Sequence, residues 1–280
     1  MLPWMRARSP VTSAVHPSTT REWQRFTPSE RLARYAVYFW IVAAVVVSAH
    51  SIEIIPEFLV DMPEQFADMF QRMWPIAWGF YPDGVHSALI ETLDIALLST
   101  AFGLMMGIPV GFLAARNAVP IPILNHLARF ILVATRSIST LLWALFFVAV
   151  FGPGALAGTC AIAFHSIGFI GKLFSEAVED ASTGSIEALT SAGASRSSLI
   201  WYGYWPQVKP TFWAIALFRW DINVRESAVL GLVGAGGLGM ALDTAINLFQ
   251  WDRVALILAT IFAVVIVAEI VVTEVRKRII

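Results

Sequence analysis

EALTSAGASRSSLIWYGYWP, residues 187–206, is a long polar interval set between strongly apolar segments. Glu187 and Ala188 open it, Gly193 sits six residues on, and Pro206 closes it thirteen after that. Residues 187–192 read as one short helix and residues 197–201 as the start of another turn of helix, with Gly193 turning the backbone between them. Glycine suits that joint because, lacking a Cβ, it adopts the left-handed conformation that a tight helix–helix corner often needs. Ser195 and Ser197 are both placed to cap the second piece. A short polar helix held at a membrane surface between two spanning segments is a handle for a soluble partner.

Composition makes the membrane part of that reading. The chain has 280 residues, 58% of them hydrophobic and only 14% charged, against about 25% charged in a soluble domain. It is an integral membrane protein with a single transmembrane domain. A net charge of −1 predicts no nucleic-acid surface. Helix–Gly–helix with "SRSS" also resembles a DNA-binding helix-turn-helix, but such modules come with a basic soluble domain, and none exists here. An inert amphipathic loop helix stays open as an alternative. Cys160 is the sole cysteine and lies in an apolar run, which excludes disulfides and Cys-based zinc sites within one chain; it reads as a small buried apolar residue.

Outward from the loop, the apolar runs at about 35–52, 85–114, 130–151, 155–174, 212–233 and 254–272 are each long enough to span. Residues 1–34 are polar and arginine-rich and show no cleavable signal. An acidic segment from Glu53 to Asp68 carries Ile54, Phe58, Met62, Phe66, Met69 and Phe70 at helical spacing, which predicts an interfacial helix on the outer face, with Trp74 and Trp78 at headgroup level. Six spans put both termini on one side. Of 19 Lys and Arg, fourteen fall in segments that are then cytoplasmic, two outside (Arg72, Arg253) and three within spans (Arg136, Arg219, Arg225). That bias puts both termini and the 187–206 loop in the cytoplasm.

Gly234-Ala-Gly236-Gly-Leu-Gly239 matches G-x-G-x-x-G, but a dinucleotide site needs a preceding strand, and here an apolar helix precedes. The segment reads as a hinge where the fifth span breaks, or as irregular backbone lining a cavity, where such backbone is tolerated near lipid.

The fifth span holds Arg219, Asp221, Asn223, Arg225 and Glu226 within eight residues. Charge at that depth normally faces protein or water. At about 100° per residue, Arg219, Asn223 and Glu226 share one face, and Asp221 and Arg225, an i, i+4 pair, share the opposite one. Such a set either lines a path or pins a helix interface. Arg136-Ser137 and Ser139-Thr140 in the third span add a cation beside hydroxyl donors, a combination suited to an oxyanion. Glu91, Asp94 and His165-Ser166 have no metal spacing and no Ser/His/Asp order stands out, so a stand-alone intramembrane enzyme is the weak competitor.

The spacing of the 187–206 stretch resembles the EAA loop of importer-type ABC transporter permeases: E-A-A, then Gly, then a closing Pro, with Gly203 and Trp205 standing where that pattern prefers Ile and Leu. Beyond it, ETLDIALLSTAFGLMMGIPVGFLAARN (91–117), RSISTLLWALFFV (136–148), HSIGFIGKLFSEAVED (165–180), YWPQVKP (204–210) and FRWDINVRESAVLGLVGAGGLG (218–239) look like the phosphonate-uptake branch of these permeases. One departure is Ser139, where the family usually has Pro after R-S-I. The resemblance implies an all-α membrane protein of type I importer permease architecture, with six transmembrane helices per chain. It divides the chain into a cytoplasmic segment 1–34, a first helix and outer interfacial helix 35–84, and a permease core 85–280 with a cytoplasmic coupling loop 175–210. It implies a homodimer in the bacterial inner membrane, two cytoplasmic ATPase subunits and an extracytoplasmic substrate-binding protein. The chain carries no P-loop, so ATP and Mg belong to the ATPase and no cofactor, metal or catalytic residue to this chain. The implied ATPase-coupling residues are Glu187, Ala188, Gly193 and Arg196. The substrate-pathway candidates are Arg136, Ser137, Arg219, Asn223 and Arg225. The implied cargo is a phosphonate-like oxyanion (phosphonate, phosphite, hypophosphite or phosphate), with a methionine-type amino-acid importer as the alternative.

Overall fold

The computed structural model describes residues 26, 28–52 and 56–279. Most of the N-terminal segment 1–34, and Glu53 and Ile54 of the acidic segment, lie outside the described residues. Every described element is helical: α1 (Pro28–Ser51), α2 (Pro56–Arg72), α3 (His86–Ala114), α4 (Pro122–Ser137), α5 (Thr140–Phe151), α6 (Ala155–Glu179), α7 (Thr183–Ser191), α8 (Arg196–Ser198), α9 (Trp205–Leu230), α10 (Gly237–Asn247) and α11 (Trp251–Ile279). Contacts divide the chain into two units, 1–63 and 64–280. Among the described residues five helical stretches are long and apolar enough to cross a membrane, or six if α4 and α5 count as one bent span.

In the larger unit α6 packs against α3, α4, α5 and α9. Small residues allow it. Gly103, Gly107 and Gly111 repeat every fourth position and so form one stripe along α3. A Cβ on Gly111 would stand 2.7 Å from the Gly171 carbonyl oxygen, and one on Gly103 2.7 Å from the Ser166 Cβ. Apolar helices gain no hydrophobic drive toward one another in lipid, so close backbone approach of this kind supplies the dispersion that binds them. On another side of α6, Gly168 lies against Leu132 and Thr135 of α4.

Two expectations need correction. Residues 130–151 are not one continuous helix: α4 and α5 meet at an angle of 88°. No proline forces it. Ile138 and Ser139 are extended, the Ser139 carbonyl restarts the helix by accepting from Leu142 and Trp143, and the Trp143 indole donates to the freed Thr135 carbonyl at 3.1 Å. The backbone groups a broken helix exposes in lipid therefore find partners.

Pro206 stands where the loop passes into α9. Residues Leu199–Tyr204 form a wide π turn that runs straight into α9, and Pro206 sits in the first turn of that helix. A proline is tolerated there because the first helical N–H groups lack intrahelical partners.

Finally, the glycine-rich segment is a packed turn whose later residues begin a helix. Gly236 and Gly237 are left-handed, the Gly237 side of the turn enters α10, and residues 235–239 are buried. The turn is held by Leu238 N–H donating to the Thr92 hydroxyl at 2.8 Å and by Gly154 N–H donating to the Gly234 carbonyl at 2.8 Å.

Candidate functional site

The loop helix α7 ends as its sequence suggests. Gly193 has φ +79°. Its N–H donates to the Thr190 carbonyl at 3.0 Å and the Ala194 N–H to the Leu189 carbonyl at 3.1 Å, which is the Schellman arrangement. Ser195, rather than Ser197, caps the next turn: its hydroxyl accepts from the Ser198 N–H at 3.3 Å. One face of α7 turns inward. Ile186 belongs to the apolar cluster of Phe174, Val178, Tyr204 and Val208, and both Ile186 and Leu189 lie against Gly203. The small residue at 203 thus makes the seat for the helix. The other face, with Glu187, Ala188, Thr190 and Ser191, is exposed, as are Gly193 and Arg196.

A polar network that local sequence patterns do not reveal surrounds this seat. The Tyr204 hydroxyl donates to the Asn117 carbonyl at 3.0 Å, and the Asn117 amide donates to the Val178 carbonyl at 2.8 Å. Gln207 accepts from the Ser182 N–H at 2.8 Å and donates to the Gly203 carbonyl at 2.8 Å. Arg129 of α4 donates from Nε to the Ala114 carbonyl and to Asn125 Oδ1, both at 3.0 Å, and from Nη2 to Glu179 Oε1. The same Glu179 oxygen accepts the Arg116 N–H at 2.9 Å. The ends of α3, α4 and α6 are thereby joined where α7 is attached.

The charges of the spanning helices separate into two groups. Arg219 is 1% exposed. It donates to the Ser166 hydroxyl at 2.8 Å and to Glu226 Oε2 at 3.1 Å, and its Nη2 lies 3.2 Å from His165 Nδ1. Asn223 is also buried; its amide donates to Thr100 Oγ1 of α3 at 2.7 Å. Both residues therefore tie α9 to its neighbours. The expected Arg219–Glu226 face exists, but Asn223 turns away from it toward α3. Arg225, paired with Asp221, keeps half of its side chain exposed. Arg136 and Ser137 are exposed at the α4–α5 break, where the Ser137 hydroxyl donates to the Ala134 carbonyl at 2.9 Å. A cavity of about 550 Å³ between α3, α9 and α11, lined by Trp78, Leu93, Trp220 and Val264 among others, holds no charged side chain and offers nothing to an oxyanion.

A bent helical core, a loop helix with one free face and internal ion pairs are what the comparisons with known proteins explain. The family model "Binding-protein-dependent transport system inner membrane component" matches residues 107–280. The chain belongs to this family. This inner membrane component is 40% identical over 181 residues to a phosphite transport system permease protein of Stutzerimonas stutzeri, covering 65% of this chain and 66% of the relative. It is 36% identical over 234 residues to a phosphate-import permease protein of Mycolicibacterium smegmatis, covering 84% of this chain and 44% of that protein. The chain thus spans less than two thirds of the length of either relative. Its fold is similar to a chain of the MetNI methionine ABC transporter in an inward-facing conformation, with TM-score 0.60, 23% identity, and 70% of this chain and 96% of that chain covered. The inner membrane component therefore has the architecture of an ABC importer permease.

Proposed function

We propose that the chain forms the translocation pathway of an ATP-driven importer for phosphonate-like oxyanions, two copies working with two cytoplasmic ATPase subunits and an extracytoplasmic binding protein. The names of the relatives support the cargo class, phosphite and phosphate being tetrahedral phosphorus oxyanions. The excess of basic residues in the α7-side segments supports an orientation with both termini and α7 in the cytoplasm. The observation that carries the reading is α7 itself, a nine-residue helix anchored by Ile186 and Leu189 with Glu187 and Ala188 left free. In this reading Glu187, Ala188, Gly193 and Arg196 dock the ATPase. ATP-driven closure of the two ATPases draws the two loops together and rocks the helices about the dimer axis. Arg136, Ser137 and Arg225 line the path, where an arginine replaces water around an oxyanion without losing its charge. Arg219 and Asn223 hold the path's shape from behind.

Glu187→Lys is the test. The variant should insert normally and lose substrate-stimulated ATP hydrolysis in the assembled complex; normal stimulation would overturn the coupling role of α7.

A further inference from the structure

We propose that Arg129 and Glu179 form a positioning clamp that carries movement of α7 to the α4–α5 bend, an inference that rests on the importer reading above. Glu179 is the last residue of α6, and residues 180–182 alone join it to α7. Displacement of α7 therefore acts on Glu179 through the chain, as it acts on Gly203 and Tyr204 through the packed face of α7. A carboxylate at a helix C-terminus opposes the helix dipole, so this position is locally unfavourable for Glu and needs a cation. Arg129 supplies it across fifty residues of sequence.

The guanidinium is fixed at the same time by the Ala114 carbonyl and by Asn125, whose own amide donates to Ala114 at 2.7 Å. Its orientation is thus determined by α3 as well as α6. Arg129 and Arg136 lie seven residues apart on α4, two turns along one face and about 10 Å along the axis. A tilt or rotation imposed at Arg129 is delivered at Arg136, beside the 88° bend.

Stability is a poor reason for the pair. Both side chains are about 30% exposed, and water-accessible ion pairs contribute little to folding. What the pair does hold is register: Glu179 Oε1 receives Arg129 from α4 and the Arg116 N–H from the end of α3 on one atom.

Glu179→Gln keeps the volume and an oxygen for Arg116 but removes the charge; Arg129→Lys keeps the charge but loses the Nε bonds. In the assembled complex, uptake per ATP hydrolysed should fall roughly five-fold in each variant, with ATPase copurification and substrate-free hydrolysis unchanged. A second readout uses the purified chain alone. Spin labels at Val133→Cys and Ser191→Cys, in a Cys160→Ala background, should show a broader distance distribution once Glu179→Gln is added. An unchanged uptake ratio with an unchanged distribution overturns the clamp. Loss of assembly in step with uptake assigns the pair a structural role only and also overturns it. If the parent chain binds no ATPase, the importer reading fails while the label distances still decide the clamp.

Discussion

The two ends of α9 are held by different physics. At its Leu230 end the chain turns through Gly231, Gly234, Gly236 and Gly237 and packs backbone against backbone: a Cβ on Gly239 would stand 2.2 Å from the Ala228 carbonyl oxygen, and one on Gly158 2.4 Å from that of Ala235. At its Trp205 end side-chain hydrogen bonds from Tyr204, Gln207 and Asn117 join the apolar packing of Tyr204 and Val208, and the adjoining α7 is mostly exposed. Close-packed backbone has one arrangement and gives way only by breaking. Side-chain hydrogen bonds beside an exposed helix are each worth only about 1 kcal/mol net and can be remade. The first end is therefore an anchor and the second a joint.

The difference is testable by substitution, with stability read as thermal unfolding of the detergent-purified chain. Gly239→Val pushes two methyl groups into backbone and should cost about 3 kcal/mol, the largest loss expected. Thr92→Val leaves the buried Leu238 N–H without its acceptor and should cost about 2 kcal/mol. Tyr204→Phe removes one hydrogen bond at the joint and should cost about 1 kcal/mol, while reducing coupled uptake more than that figure suggests. Glu187→Lys, on an exposed face, should change stability by less than about 0.5 kcal/mol although it abolishes stimulation. A joint substitution as costly as Gly239→Val would erase the distinction between the two ends.

Much of this was legible in the sequence. Long apolar runs located α3 and the starts of α6 and α11 to within a few residues, and Gly193 marked the loop's turn because its positive φ favours a residue without a Cβ. The rest depended on contacts distant in sequence. The α4–α5 break hides in a continuous apolar run, since Ile138 and Ser139 carry no proline and the freed carbonyl at Thr135 is satisfied by Trp143 eight residues on. α10 was hidden behind glycines that read as a hinge. Arg219 and Arg225 look alike in sequence, yet Ser166 and Glu226 saturate one while the other stays half exposed. Arg129 and Glu179 lie fifty residues apart, and no local period announces the pair.

In the proposed importer α7 receives work from a separate motor. A photo-crosslinker placed at Ala188 in intact cells is the decisive experiment. An adduct with a nucleotide-binding protein should form, and should disappear when Glu187→Lys is combined with the crosslinker. Adducts with lipid alone, or labelling of position 188 by a membrane-impermeant reagent added outside the cell, would contradict that role of α7.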